Sequence, residues 1–288
     1  MRKFLKITLC LFTFNNLFGD HQMISSTSAN RLAEAISSAK LWEQLPRKNA
    51  RTKPIEVIAL GSAVRARRLA EAVYRLGPEY AYEAQLQMRA LLEIHVNYSW
   101  IRLRRPHSRA IRFIRYVVIE KLKVAEDLAR GSPERAAALK KDIARLRKQR
   151  TRTRHLFRRR NSKGWDKNWA GGLTLEARLQ EILKVSRAAG RDVDPFLYTL
   201  YRWLSGPAHG SAQSFDDVLA VKSRKLFVKE DAELVSTEVL DGASATLISL
   251  WTMAAEDFGF ERQIKHQIRA RLAEMIRAFQ EQKEKRDK

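Results

Sequence analysis

Cysteine is almost missing from this 288-residue chain. Cys10 stands alone, so no intrachain disulfide can form and a cysteine-based zinc site is excluded. Glycine (12) and proline (7) are sparse enough to argue against a loop-rich or disordered chain. Long apolar runs are lacking too. The opening "MRKFLKITLCLFTFNNLFGDHQM" resembles a signal peptide in placing basic residues before Ile7–Phe14, but Asn15 and Asn16 interrupt the run and no small-x-small cleavage site follows. Eight apolar-leaning residues fall short of the ~20 that cross a bilayer, so the reading is an upstream extension, with the start left open between Met1 and Met23, and no integral membrane span. No G-x-S-x-G elbow and no repeat of solenoid period occurs, which argues against an α/β-hydrolase and a repeat array. Acidic residues are the last deficit: 32 Asp and Glu face 55 Lys and Arg, a net charge of +23. Such a surface gains counterion-release free energy on a polyanion, whether RNA, DNA or an anionic membrane.

What is present reads as helix. Apolar residues make up 45% and charged residues 30%, and the punctuation is helical. Leu32, Ile36, Ala39 and Leu41 share a face of a first helix. Pro54 opens a second and Gly77 follows its end. A third runs from about Pro78 to Pro106 and is apolar enough around Leu91, Leu92, Ile94, Val96 and Trp100 to be central. A fourth is closed by Gly131, and a fifth is opened by Ser132 as cap and Pro133. The stretch "NSKGWDKNWAGG" forms a loop, after which Thr174 caps another helix. A short helix, "FLYTLYRWLS", meets the break at Gly206-Pro207. "LAVKSRKLFVK" alternates weakly and is the one β-hairpin candidate. Two long helices follow, Ala232–Gly259 and Phe260 to about Lys285, the latter with an apolar stripe from Ile264 to Phe279. The expectation is an all-α bundle of long antiparallel helices with a protruding basic arm. Its divisions are an N-terminal extension over 1–29 without assigned structure, a bundle over 30–259 with the arm at 133–172, and a C-terminal amphipathic helix over 260–288.

The arm carries eleven Lys or Arg against one Asp in "KKDIARLRKQRTRTRHLFRRR". Three readings stay open: a solvated hairpin, a nucleic-acid contact, or an anionic membrane surface, the last weakened by the lack of a wide apolar face. For a nucleic-acid contact the cations are Arg145, Arg147, Lys148, Arg150, Arg152, Arg154, Arg158, Arg159, Arg160, Lys163 and Lys167. Trp165 and Trp169 beside them suit base stacking, which favours RNA over DNA.

Two polar clusters invite chemistry. Arg89, Glu93 and Asn97 recur at intervals of four and project from one helix face, either as an internal ion pair with Asn97 tying a neighbour or as one wall of a site. His95 points elsewhere, as a packing or surface histidine. In "YRWLSGPAHGS", Tyr201, Arg202 and Ser205 lie near one face, and a new helix starting at Gly206-Pro207 places His209 in its first turn. Helix-terminal N–H groups there favour an anion and a neutral imidazole. His209 then suits a general base that takes a ribose 2′-hydroxyl proton while Arg202 stabilises the phosphorane, with no metal or other cofactor. Ser205 with His209 is a weaker hydrolase alternative.

"MRALLEIHVNYSWI", "RAIRFIRY" and "YTLYRWLSGPAHGS" together resemble an uncharacterised bacterial all-helical family with R-x-L-x-E-x-x-x-N and Y-x-x-L-S-x-x-x-H-G-S motifs, matched over Tyr80–Met253. More distantly the chain is similar to the HEPN superfamily, whose R-x(4 to 6)-H motif is met by Arg202 and His209, and also by Arg89 and His95. That similarity implies a metal-independent endoribonuclease of defence or toxin type, a homodimer with facing motifs, an antitoxin or defence partner, and a cytoplasmic location. The competing class is a non-catalytic helical module for nucleic acid or protein.

Overall fold

The computed structural model describes residues 21–44, 53–77, 80–157, 166, 168–189, 201, 204, 219–222, 225–228 and 233–258. Eight helices occur among them: α1 (His21–Glu43), α2 (Pro54–Leu76), α3 (Ala81–Leu103), α4 (Pro106–Arg130), α5 (Pro133–Arg152), α6 (Arg154–Phe157), α7 (Leu175–Ala188) and α8 (Glu233–Phe258). Strands β1 (Leu219–Lys222) and β2 (Lys225–Val228) pair antiparallel, Leu219 opposite Val228 and Lys222 opposite Lys225, as the alternating pattern suggested. The protein is an all-α bundle with this one small hairpin. The 260–288 helix lies outside the described residues. α1 begins at His21, inside the 1–29 segment for which the sequence assigned no structure, and Ser28 is already buried.

Local chemistry explains the helix ends. The backbone N–H of Lys53 donates to Glu56 Oε2 at 2.9 Å ahead of Pro54. Gly77 ends α2 at φ +45°, where an added Cβ would sit 3.3 Å from the Tyr74 carbonyl, so glycine is required. Ser132 Oγ accepts the Arg135 N–H at 3.2 Å, and Thr174 Oγ1 accepts that of Ala177 at 3.1 Å.

The core has a centre that the sequence did not single out. α8 packs against α1, α2 and α3, and every residue from 239 to 252 is buried. A helix covered on all sides lies inside the bundle, so α8 takes the position expected of the 78–106 segment, which as α3 borders it. Small residues permit this. α2 offers Ala59, Ala63, Ala66 and Ala70 without exposure, and Gly242 of α8 comes within 3.1 Å (from an ideal Cβ) of the Met88 methyl on α3. Trp42 and Trp251 fill the wider end with ring centroids 5.4 Å apart. Polar groups inside are mostly tied: Asp241 pairs with Arg31 at 3.5 Å and Thr252 Oγ1 donates to the Ile248 carbonyl at 2.8 Å.

α4 joins this core by its first half, through Ala110, Tyr116 and Ile119. Its second half meets only α5, around a separate small cluster of Leu122, Ala125 and Leu146 edged by Val118 and Ile143. The α4–α5 hairpin is therefore an arm, held together by this small apolar cluster and otherwise largely open to solvent.

Candidate functional site

The row Arg89, Glu93, Asn97 faces α7 and the segment at Tyr201. Arg89 Nε donates to Glu93 Oε1 at 3.2 Å, and the Arg89 guanidinium carbon stands 5.5 Å from the centre of the Tyr201 ring. Asn97 does tie a neighbouring helix: its Oδ1 accepts from Arg178 Nη1. Arg178 was not anticipated from the sequence. It lies 81 residues from Asn97, one turn into α7, where a lone arginine in "LEARLQE" looks like any solvated one. In the fold it is 7% exposed, with Nε donating to the Thr174 carbonyl at 3.2 Å and its guanidinium 5.1 Å from the Trp169 ring centre. Burial draws its pKa below the ordinary arginine value, an effect opposed by the charge of Glu93 and by Tyr201.

The row continues as a seam of arginines stacked on rings. Arg109 lies 3.5 Å over Trp100, donates to the Trp100 carbonyl and pairs with Glu181 at 3.3 Å, while Trp100 Nε1 donates to the same carboxylate. Arg112 pairs with Asp166 at 2.7 Å, donates to the Trp169 carbonyl at 3.0 Å and sits 5.2 Å from Phe157. Asn168 shapes the loop that feeds it: its Oδ1 accepts the N–H groups of Ala170 and Gly172, and its Nδ2 donates to the Leu173 carbonyl. Gly171 and Gly172 take positive φ to complete that turn.

This loop corrects one expectation. Trp169, read as a stacking ring beside the arm's cations, is 8% exposed and lies edge-on to Trp100 (5.3 Å) and Phe113 (4.8 Å). Its faces are used by the protein because the Gly-Gly turn folds it inward.

His95 is a packing histidine, as expected. Its Nε2 is 2.8 Å from Ser249 Oγ, and burial lowers its pKa to about 4. Arg89 and His95 share a helix but not a face, so they form no joint site.

On the arm, Arg147 is paired with Glu126 at 2.9 Å and Arg145 with Asp142 at 2.8 Å. Arg150 is half-buried. Lys140, Lys141, Lys148, Arg152 and Arg154 are exposed and have no acidic partner within salt-bridge distance among the described residues. Arg158, Arg159, Arg160, Lys163, Trp165, Lys167, Arg202, Ser205 and His209 lie outside the described residues. The described residues hold no cluster of ligands that could bind a metal, and no described helix is long and apolar enough to cross a membrane.

Fold and seam together define an all-helical protein with a cationic hairpin arm and a polar row, Arg89, Glu93 and Asn97, that Tyr201 adjoins. The chain belongs to a family of unknown function, DUF5677, whose model matches residues 56–226. No curated protein and no solved structure matches it.

Proposed function

We propose that this protein binds RNA through the α4–α5 arm. One observation carries the reading: a helical hairpin with its own small core presents Lys140, Lys141, Lys148 and Arg152, followed by Arg154, exposed and without an acidic partner among the described residues. A fixed row of cations gains more from a polyphosphate than from water, because each phosphate contact releases condensed counterions. The test is fluorescence anisotropy with a labelled single-stranded RNA, comparing wild type with a Lys140/Lys141/Lys148/Arg152→Gln variant across a salt series. For single strands each lost contact flattens the log-affinity against log-salt slope by ~0.7, so the variant is expected to bind more weakly with a slope shallower by about 3. Equal slopes would sink the reading.

A second reading is favoured by the meeting of motifs: Tyr201, which opens "YRWLSGPAHGS", covers Arg89, and Leu204 is buried in the core. Arg202, Ser205 and His209 themselves lie outside the described residues, so the support is confined to Tyr201 and Leu204. A HEPN-like, metal-independent endoribonuclease, working as a homodimer in the cytoplasm with an antitoxin or defence partner, would use such a placement, with His209 as base and Arg202 opposite the phosphorane. Incubation of total RNA in EDTA with wild type and His209→Ala separates the readings. Fragments from wild type alone establish cleavage; none from either protein leaves binding as the function.

A further inference from the structure

Among the described residues of the bundle, six buried or half-buried arginines share a pattern that a seventh departs from. Arg31 pairs with Asp241, Arg67 with Glu43 and Glu71, Arg89 with Glu93, Arg102 with Glu256 and Asp257, Arg109 with Glu181, and Arg112 with Asp166. Each of these six guanidiniums has a carboxylate within 4 Å. Arg178 is as buried as any of them and has none among the described residues; its protein partners are two neutral oxygens, Asn97 Oδ1 and the Thr174 carbonyl. Glu93, the nearest acid by its electrostatic effect, is committed to Arg89.

An uncompensated buried cation is costly, and desolvation makes it a strong attractor for an anion of matching shape. Arg178 is also set in advance. Two of its five N–H groups are used, the Trp169 ring backs its plane, and Nη2 is neither sealed from solvent nor bonded to the protein. Arg89, 5.5 Å from the Tyr201 ring centre, is paired with Glu93, so that carboxylate is shared between two guanidiniums.

We propose that Arg178 is a phosphate-binding residue, its guanidinium fork taking two oxygens of a phosphoryl group at the mouth of the Arg89–Glu93–Asn97 row. The inference rests on the reading of that row as a site and names its ligand class. A planar fork held on both edges is suited to a tetrahedral oxyanion in a way that an ammonium is not. The phosphate has two sources, an RNA backbone diester or a free phosphorylated small molecule, and the experiment distinguishes them.

The test uses the full chain as wild type, Arg178→Gln, Arg178→Lys and the four-residue arm variant described above. Inorganic phosphate and a dinucleoside monophosphate are titrated separately by calorimetry and by thermal unfolding at constant ionic strength. Wild type and the arm variant are expected to bind at least one of the two probes, with the affinity of Arg178→Gln lower by about tenfold or more and that of Arg178→Lys in between. A response to the diester assigns RNA backbone; a response to inorganic phosphate alone assigns a free phosphorylated ligand. If Arg178→Gln does not fold, the decision falls to Arg178→Lys and to the arginine Nε–H resonances of the wild type, where the signal missing from Arg178→Lys must move with phosphate. An unchanged response in the Arg178 variants, or no response to either probe, overturns the proposal. Because RNA binding by the arm is read separately with the arm variant, this failure leaves the arm reading intact, and loss of the arm reading leaves this one standing.

Discussion

His95 shows how one side chain couples the core to acidity. In the unfolded chain it takes a proton near its ordinary value of 6.5, whereas burial against Ser249 delays protonation in the folded protein to about 4. The unfolded state therefore binds the extra proton first as pH falls. Stability is intact above 6.5 and drops between 6.5 and 4, by up to about 1.4 kcal/mol per pH unit for this one group. Urea unfolding at pH 7, 6 and 5 checks this: wild type is expected to lose stability steadily relative to His95→Gln, and parallel curves would remove His95 as the cause. Tyr98 lies a turn further along α3 and behaves as a permanent phenol. Burial and the neighbouring Asp257, which accepts its hydroxyl proton at 2.5 Å, push its ionisation far above the ordinary range.

Elements divide into those whose signals are local and those whose signals are not. Pro54, Gly77, Ser132, Pro133 and Thr174 each marked a helix boundary in the sequence, because a cap acts on backbone groups within a turn of itself. The β1–β2 hairpin was visible in its alternation for the same reason. The central place of α8 was not, although residues 239–255 hold a single charged residue, Asp241, because an apolar run does not by itself say which helices will close around it. What puts α8 in the middle is the close approach that small side chains allow, a property of three helices at once. A leucine at Ala63, which is fully buried among those helices, is expected to cost ~1–3 kcal/mol or more by overpacking. Thermal unfolding of Ala63→Leu beside an exposed control such as Ala137→Leu measures it. The candidate site divides in the same way. The spacing of Arg89, Glu93 and Asn97 announced a row, but Arg178 became visible only when α7 was laid across α3, and Trp169 changed role once its loop was seen to turn inward.

At the scale of the whole molecule the excess of 23 positive charges is unevenly spent. Among the described residues the arginines inside the bundle, such as Arg67, Arg102, Arg109 and Arg112, are held by carboxylates or rings and serve packing, whereas exposed ones such as Arg65, Arg68 and Arg115 on the bundle and Lys141, Lys148 and Arg152 on the arm face the solvent. If the arm is the contact, raising salt should weaken RNA binding, since its exposed cations are screened, while barely touching the bundle's buried ion pairs. The central position of α8 bears on how the chain is made. The ribosome releases α2 and α3 well before residues 233–258 exist, so the faces they turn to α8 emerge uncovered, and this part of the core closes only when α8 arrives. The stretch that defines the family, 56–226, stops short of that helix. Expressed alone, it would be a shell translated without its kernel.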